Sequence, residues 1–395
     1  MAKERKKGVI LKIILIILLI ATVYMSYSEG LPFLRAEKKG YKVSRTYSDS
    51  KTRHYYDGLS DKEKKAYRLI ETQVRDFPEE IPVMCLDSDE LKRVYTAVIY
   101  DNPEFFFLGD HCTIKRNIDG CVFVPEYTMN EKDYSEKKAL CDKKAKEITD
   151  GAPSDGSEYD LCLYVHNKLL EICRYADSGS SLRYTICGCL LDGKANCEGY
   201  SKTATYLLSR MGIKSYVITG ESSSGKGKPE RHMWNIVYID GKPYVMDVTW
   251  DDYTLTGKNK TNDREKVPSH IYFLRSAADL SRTHVPDNKE DWEGCKYSDM
   301  NYFKKTGTYF DSYRSLRGKL PYRIAEAAEK GERGIEIQLS SDALYREAEK
   351  KLFDDGDIRE IVFTANIGLP PSKQLNGSVI KYTLSPETRV IRIYI

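Results

Sequence analysis

The 395-residue sequence has no internal repeat, no low-complexity tract and no cysteine pair spaced CxxC. The first two absences exclude a solenoid and a disordered chain. The third removes the commonest structural zinc motif. Histidine is scarce: His54, His111, His166, His270 and His284 lie far apart with no ligand spacing, so neither a metal nor a cofactor is expected. A surplus of one charge is also missing. The total of +3 less the +4 of residues 1–27 leaves −1 for the rest. A near-neutral body lacks the basic face that phosphate binding needs, so nucleic acid is not an expected partner. Lysines such as Lys62, Lys64 and Lys65 are interleaved with acids and read as solvated helix faces.

What is present is a globular composition, 41% hydrophobic and 31% charged, long enough for two or three domains. The 30 tyrosines suit wet grooves and strand faces. A basic flank, Lys3 to Lys7, precedes an apolar run from Val9 to Met25 interrupted only by Lys12. As a helix, Gly8 to Tyr27 covers about 30 Å, so residues 1–27 are expected to be a transmembrane signal-anchor or a cleaved signal peptide. Either would place the body outside the cytoplasm, with the cytoplasmic membrane as a partner. Exported chains can hold disulfides. If Cys197 is catalytic, nine of the ten cysteines remain, so at least one has no partner. Cys162 and Cys173 read as buried thiols, and Cys187 and Cys189 share a strand face and do not bridge each other.

Residues 28–45 read as a polar linker and 46–150 as an α/β region. Within it, Ser60 and Glu63 form a capping box before a helix carrying Ala66, Leu69, Ile70, Val74 and Phe77. A second helix runs from Asp87 to Tyr100, Phe105 to Leu108 is a short strand, Asp119-Gly120 marks a hairpin, and Glu131 to Ile148 is helical. The polar break at 150–156 separates this region from a core over 151–290. Residues 300–395 read as a small α+β module with helices near 319–330 and 341–353 and strands at Ile335–Leu339, Glu360–Ile367, Val379–Leu384 and Arg389–Ile395.

The chemistry sits in the core. Cys197 opens a helix that ends at Gly212, where the dipole and unpaired N–H groups favour thiolate. Asp240-Gly241 closes a two-residue hairpin between strands His232–Ile239 and Pro243–Trp250. Opposed positions then sum to 481, which places His232 and Asp247 diagonally on one face, about 7–8 Å apart at the backbone. The Cys197 helix is expected to cover that face. A carboxylate between Met246 and Val248 needs a partner, and a carboxylate-bound histidine is oriented as a general base. Cys197, His232 and Asp247 thus form a candidate triad for thiol acyl transfer. Trp234, Trp250 and Tyr200 are candidate groove residues. Asp251 and Asp252 end the strand or read a cationic substrate group.

The segments NCEGY and RHMWNIVYIDGKPYVMDVTWDD, with Arg174-Tyr175-Ala176-Asp177 before them, resemble the transglutaminase-like family over roughly 155–290, in particular its exported Gram-positive members. The resemblance implies a papain-like α+β core, a helix packed on an antiparallel sheet. It gives Cys197 the part of nucleophile, His232 that of base and then acid, and Asp247 that of orienter. The sequence departs from the family at Asn196 and Met233, where small apolar residues are usual, and at Leu191, where a papain-type oxyanion Gln would stand. Tyr184 is the candidate second oxyanion donor beside the Cys197 N–H. The expected function is an extracytoplasmic amide hydrolase or acyl transferase, of peptidase type, acting on protein or cell-wall peptide. The alternative is a non-catalytic cell-surface binding module on the same fold.

Overall fold

Local signals place most helices where the spacing predicts them. Ser60 and Asp87 each accept from the backbone three residues on, while Glu63 and Glu90 reach back, so two capping boxes open α2 (Asp61–Gln73) and α3 (Ser88–Asp101). The computed structural model describes residues 2–38, 53–117, 120–224, 227–252, 268–377 and 380–395. The chain divides into two compact units, Met1–Ala139 and Leu140–Ile395. The polar break at 150–156 falls inside the second.

The first unit begins with α1 (Ala2–Lys38), so residues 28–38, expected as linker, are helical, and 39–45 lie outside the described residues. Among the described residues no helix is long and apolar enough to cross a membrane, and the expected membrane-spanning segment is not supported. Helices α2 and α3 share a core with a three-stranded antiparallel sheet of order β1 (Ile81–Val83), β3 (Gly120–Tyr127), β2 (Leu108–Asn117). Strands β2 and β3 form the predicted hairpin, although residues 118–119 lie outside the described set. The expected strand Phe105–Leu108 is instead a buried turn, with β2 starting only at Leu108. Asn102 sets that turn by accepting the Phe105 N–H at its backbone carbonyl. A disulfide joins Cys85 to Cys121.

The second unit holds α4 (Glu131–Asp150) from Leu140 onward, then α5 (Glu158–Ile172) and α6 (Cys197–Arg210). Its main sheet is antiparallel, in the order β6 (Lys242–Met246), β5 (Glu230–Ile239), β4 (Ser215–Ser222), β7 (His284–Pro286). Asp240 and Gly241 both take positive φ, which closes the two-residue turn. Ile239 faces Lys242 and the register runs as expected to Asn235–Met246. There β6 stops: Asp247 turns away and caps a one-turn helix, Val248–Asp251, so the strand does not reach Trp250.

A C-terminal module packs α7 (Tyr313–Lys330), α8 (Asp342–Glu349) and α9 (Asp357–Asn366) with a sheet of Tyr309–Phe310, β8 (Gly334–Leu339), β10 (Val390–Tyr394) and β9 (Tyr382–Ser385). Glu360–Ile367, expected as a strand from its apolar, β-branched content, is helix α9. Ile358, Ile361, Val362 and Ala365 are buried at helical spacing, and packing of that face overrides propensity.

Candidate active site

Asn196 caps α6 by accepting the Gly199 N–H at 3.1 Å, which leaves Cys197 as the first helical residue, half-buried. A small apolar residue there would lose that cap. Glu198, whose charge would oppose a thiolate, is paired with Lys202 at 2.5 Å. The Asn235 amide donates to the Ser201 carbonyl and to Thr205 Oγ1, both at 3.0 Å, so α6 packs on the Asn235 face of β5. Alternation puts His232 and Trp234 on the other face, the reverse of the expected arrangement. The catalytic contact survives because β6 has left the ladder before position 232. Cys197 at the helix start lies close enough to the imidazole there to help raise its pKa.

His232 donates from Nε2 to Asp247 Oδ2 at 2.7 Å. Asp247 is fully buried, and its Oδ1 accepts the Thr249 and Trp250 N–H groups at 3.0 and 3.2 Å. Burial disfavours a charged His232, but the Asp247 carboxylate, with help from Cys197, outweighs it and raises the imidazole pKa to about 10. For Asp247 burial likewise works against the charge, yet His232 and His284 hold the carboxyl well below its usual range.

His284 is the residue the sequence pattern missed. Its Nε2 lies 3.0 Å from the same Asp247 Oδ2, and its Nδ1 lies 2.8 Å from Thr283 Oγ1. Burial lowers its pKa, so it is a neutral donor. The expectation that the histidines lie far apart is therefore wrong in space: β7 pairs with β4 and carries His284 in from 52 residues beyond His232. His232, Asp247 and His284 also place three ligand atoms within 4.8 Å of one another. Two ligands of a tetrahedral zinc stand roughly 3.3 Å apart. The 2.7 and 3.0 Å separations are those of hydrogen bonds instead. His166 and His270 also come together, their rings 5.4 Å apart, in a buried network with Asn167, Asp251 and Glu336.

The groove candidates divide. Trp250 is half-exposed and covers both imidazoles, its ring 5.8 Å from that of His232 and 4.8 Å from that of His284. Trp234 is fully buried and stacks beneath His232 at 5.8 Å, so it supports the site rather than lining it. Tyr200 is also fully buried and donates to Asp252 at 2.7 Å. Neither Asp251 nor Asp252 is available to a substrate. Asp251 accepts from His166 and the Tyr272 N–H, and Asp252 from Tyr200 and the Tyr175 N–H. Tyr184 is 38% exposed, its hydroxyl accepting from Arg183 at 2.5 Å. Another phenol belongs to this segment: Tyr175 pairs with Ala195, two residues before the thiol, and burial, then the influence of Cys197, pushes it up to about 12, so it keeps its proton.

This geometry agrees with a sequence match. Residues 142–248 match the transglutaminase-like superfamily, spanning Cys197, His232 and Asp247. The chain carries a transglutaminase-like domain. Two curated relatives are kyphoscoliosis peptidases: that of Mus musculus is 28% identical over 110 residues, and that of Homo sapiens 30% identical over 113. Each match takes in 25% of this chain and 16% of the relative, so the chain spans about one sixth of those proteins. A solved structure of a TGase is similar over 46% of this chain and 52% of its own, at 18% identity and a TM-score of 0.27. The architecture is α+β with antiparallel sheets, as the sequence led us to expect.

Proposed function

We propose that the transglutaminase-like domain is a thiol-dependent amide hydrolase or acyl transferase, of peptidase type, acting outside the cytoplasm on protein or cell-wall peptide. One observation carries the reading: a single imidazole, His232, bonds a buried carboxylate through Nε2 and meets the Cys197 side chain as well. With its pKa near 10, His232 holds a proton at neutral pH and sets a positive charge beside the sulfur. Sulfur attack on an amide carbonyl forms the C–S bond and moves the π pair onto oxygen. The Cys197 N–H would receive that oxyanion, with Tyr175 or Tyr184 as the second donor. His232 then passes its proton to the departing amine as the C–N bond breaks, leaving a thioester on Cys197. Water or an amine resolves the thioester, with His232 now taking the proton.

Three further features support the reading. Burial pushes Cys112 and Cys295 up to about 12 and raises Cys162 too, so these thiols are poor nucleophiles beside Cys197. The Lys-rich flank before the apolar run and the Cys85–Cys121 disulfide suit export into an oxidising compartment, as in Gram-positive members of the family. The test is an electrophilic peptide probe followed by mass mapping in wild type and Cys197→Ala. Labelling confined to Cys197 and lost in the variant is expected. No labelling of correctly folded wild type would instead favour a binding module on the same fold.

A further inference from the structure

Two cysteines that the catalytic reading does not use meet beside the segment leading to Cys197. The Cys141 and Cys187 sulfurs are 3.3 Å apart and fully buried. Cys187 stands at the start of a tight turn, Gly188–Asp192.

We infer that Cys141–Cys187 is a disulfide of the mature protein, and that it clamps the segment on which the nucleophile is mounted. A disulfide needs its sulfurs about 2.05 Å apart, so the pair has to close by only about 1.3 Å. The bridge forms by two exchanges with a disulfide oxidant. One thiolate attacks the oxidant and releases its first thiol. The partner thiolate then displaces the second, so the pair loses two protons and two electrons. The pair is buried in the finished fold, which requires the bridge to close during folding.

The clamped segment bears directly on Cys197. Four residues before Cys187 the Arg183 carbonyl accepts the Asn196 N–H at 3.1 Å. The same carbonyl sits 2.3 Å from where a side chain at Gly199 would begin, so it abuts the first turn of α6. Cys187 ties this segment to α4 through Cys141.

The full chain is folded in a mixture of reduced and oxidised glutathione, acid-quenched, unfolded without reductant, alkylated with N-ethylmaleimide and digested. Expected is a linked peptide joining Cys141 to Cys187, about 2 Da lighter than its reduced components. Alkylation should spare Cys141 and Cys187, as it spares Cys85 and Cys121. Recovery of Cys141 and Cys187 as alkylated thiols in a sample where Cys85–Cys121 is linked would overturn the inference, as would pairing of either with another cysteine. Cys197→Ala should give the same linkage map, so the outcome stands apart from whether Cys197 is the nucleophile.

Discussion

The Nε2 of His284 lies 3.0 Å from Asp247 Oδ2, the oxygen that His232 also holds. A single buried carboxylate thus carries two imidazoles. His284→Gln keeps an amide donor at that position and is expected to lower kcat severalfold with KM little changed. His284→Ala strands part of a buried charge and should cost about 1–3 kcal/mol of stability. Steady-state kinetics with chemical denaturation checks both. Full activity and stability in His284→Ala would show that the second imidazole is idle.

Loss of Cys197 should be far more severe. Cys197→Ala is expected to lower turnover on any responsive peptide by about three orders of magnitude or more. Loss of Cys112, Cys162 or Cys295 should leave it within about twofold, because desolvation keeps their thiols protonated. If Cys197→Ser turned over at the wild-type rate, the nucleophile assignment would fail.

Stability should peak near neutral pH, for two opposed reasons. His284 and His270 have pKa values lowered chiefly by burial. Below about 6.5 the unfolded chain takes up protons that these two residues refuse when folded, so stability falls with acidification. His232 behaves oppositely. Its folded pKa of about 10 lies above the unfolded value, so its contribution is complete below about 6.5 and is lost as pH rises toward 10. Thermal unfolding from pH 5 to 10 should show both limbs, and His232→Gln should flatten the alkaline one. An unchanged alkaline limb in that variant would show that the raised pKa is not its source.

Gly220 is expected to tolerate no side chain. A Cβ there would come within 2.2 Å of the Val285 carbonyl and 2.6 Å of the Trp234 ring. Both neighbours belong to the site, since β7 carries His284 and Trp234 underlies His232. Gly220→Ala should destabilise the fold by about 1–3 kcal/mol and slow probe labelling of Cys197. Gly212→Ala is the comparison: it has no neighbour within 4 Å, so its cost is confined to its left-handed φ of 77° and labelling should persist.

Tyr175 and Tyr184 compete for the second oxyanion position. Tyr175→Phe is expected to reduce kcat about tenfold or more, and Tyr184→Phe to have little effect, because the Tyr184 hydroxyl is exposed and engaged by Arg183. The reverse ranking would return the role to Tyr184.

The sequence by itself determined the local parts of this protein. The capping box at Ser60, the helix starts at Asp87 and Cys197 and the Asp240-Gly241 turn are set by residues a few positions apart, and each appears where the spacing placed it. Hairpin parity extends only a little further: the ladder runs as expected to Asn235–Met246 and stops one residue short of Asp247. Where packing competes with local preference, the sequence misled. Glu360–Ile367 has strand-like content but forms a helix because its apolar stripe is buried in the C-terminal core. Asp247 leaves the strand because its carboxylate caps the next turn, and α6 covers the Asn235 face because its polar partners are there. Only the tertiary structure could bring His284 to Asp247, Tyr175 to Cys197, and Cys141 to Cys187. Those encounters join segments tens of residues apart, and no periodicity along the chain encodes which of them meet.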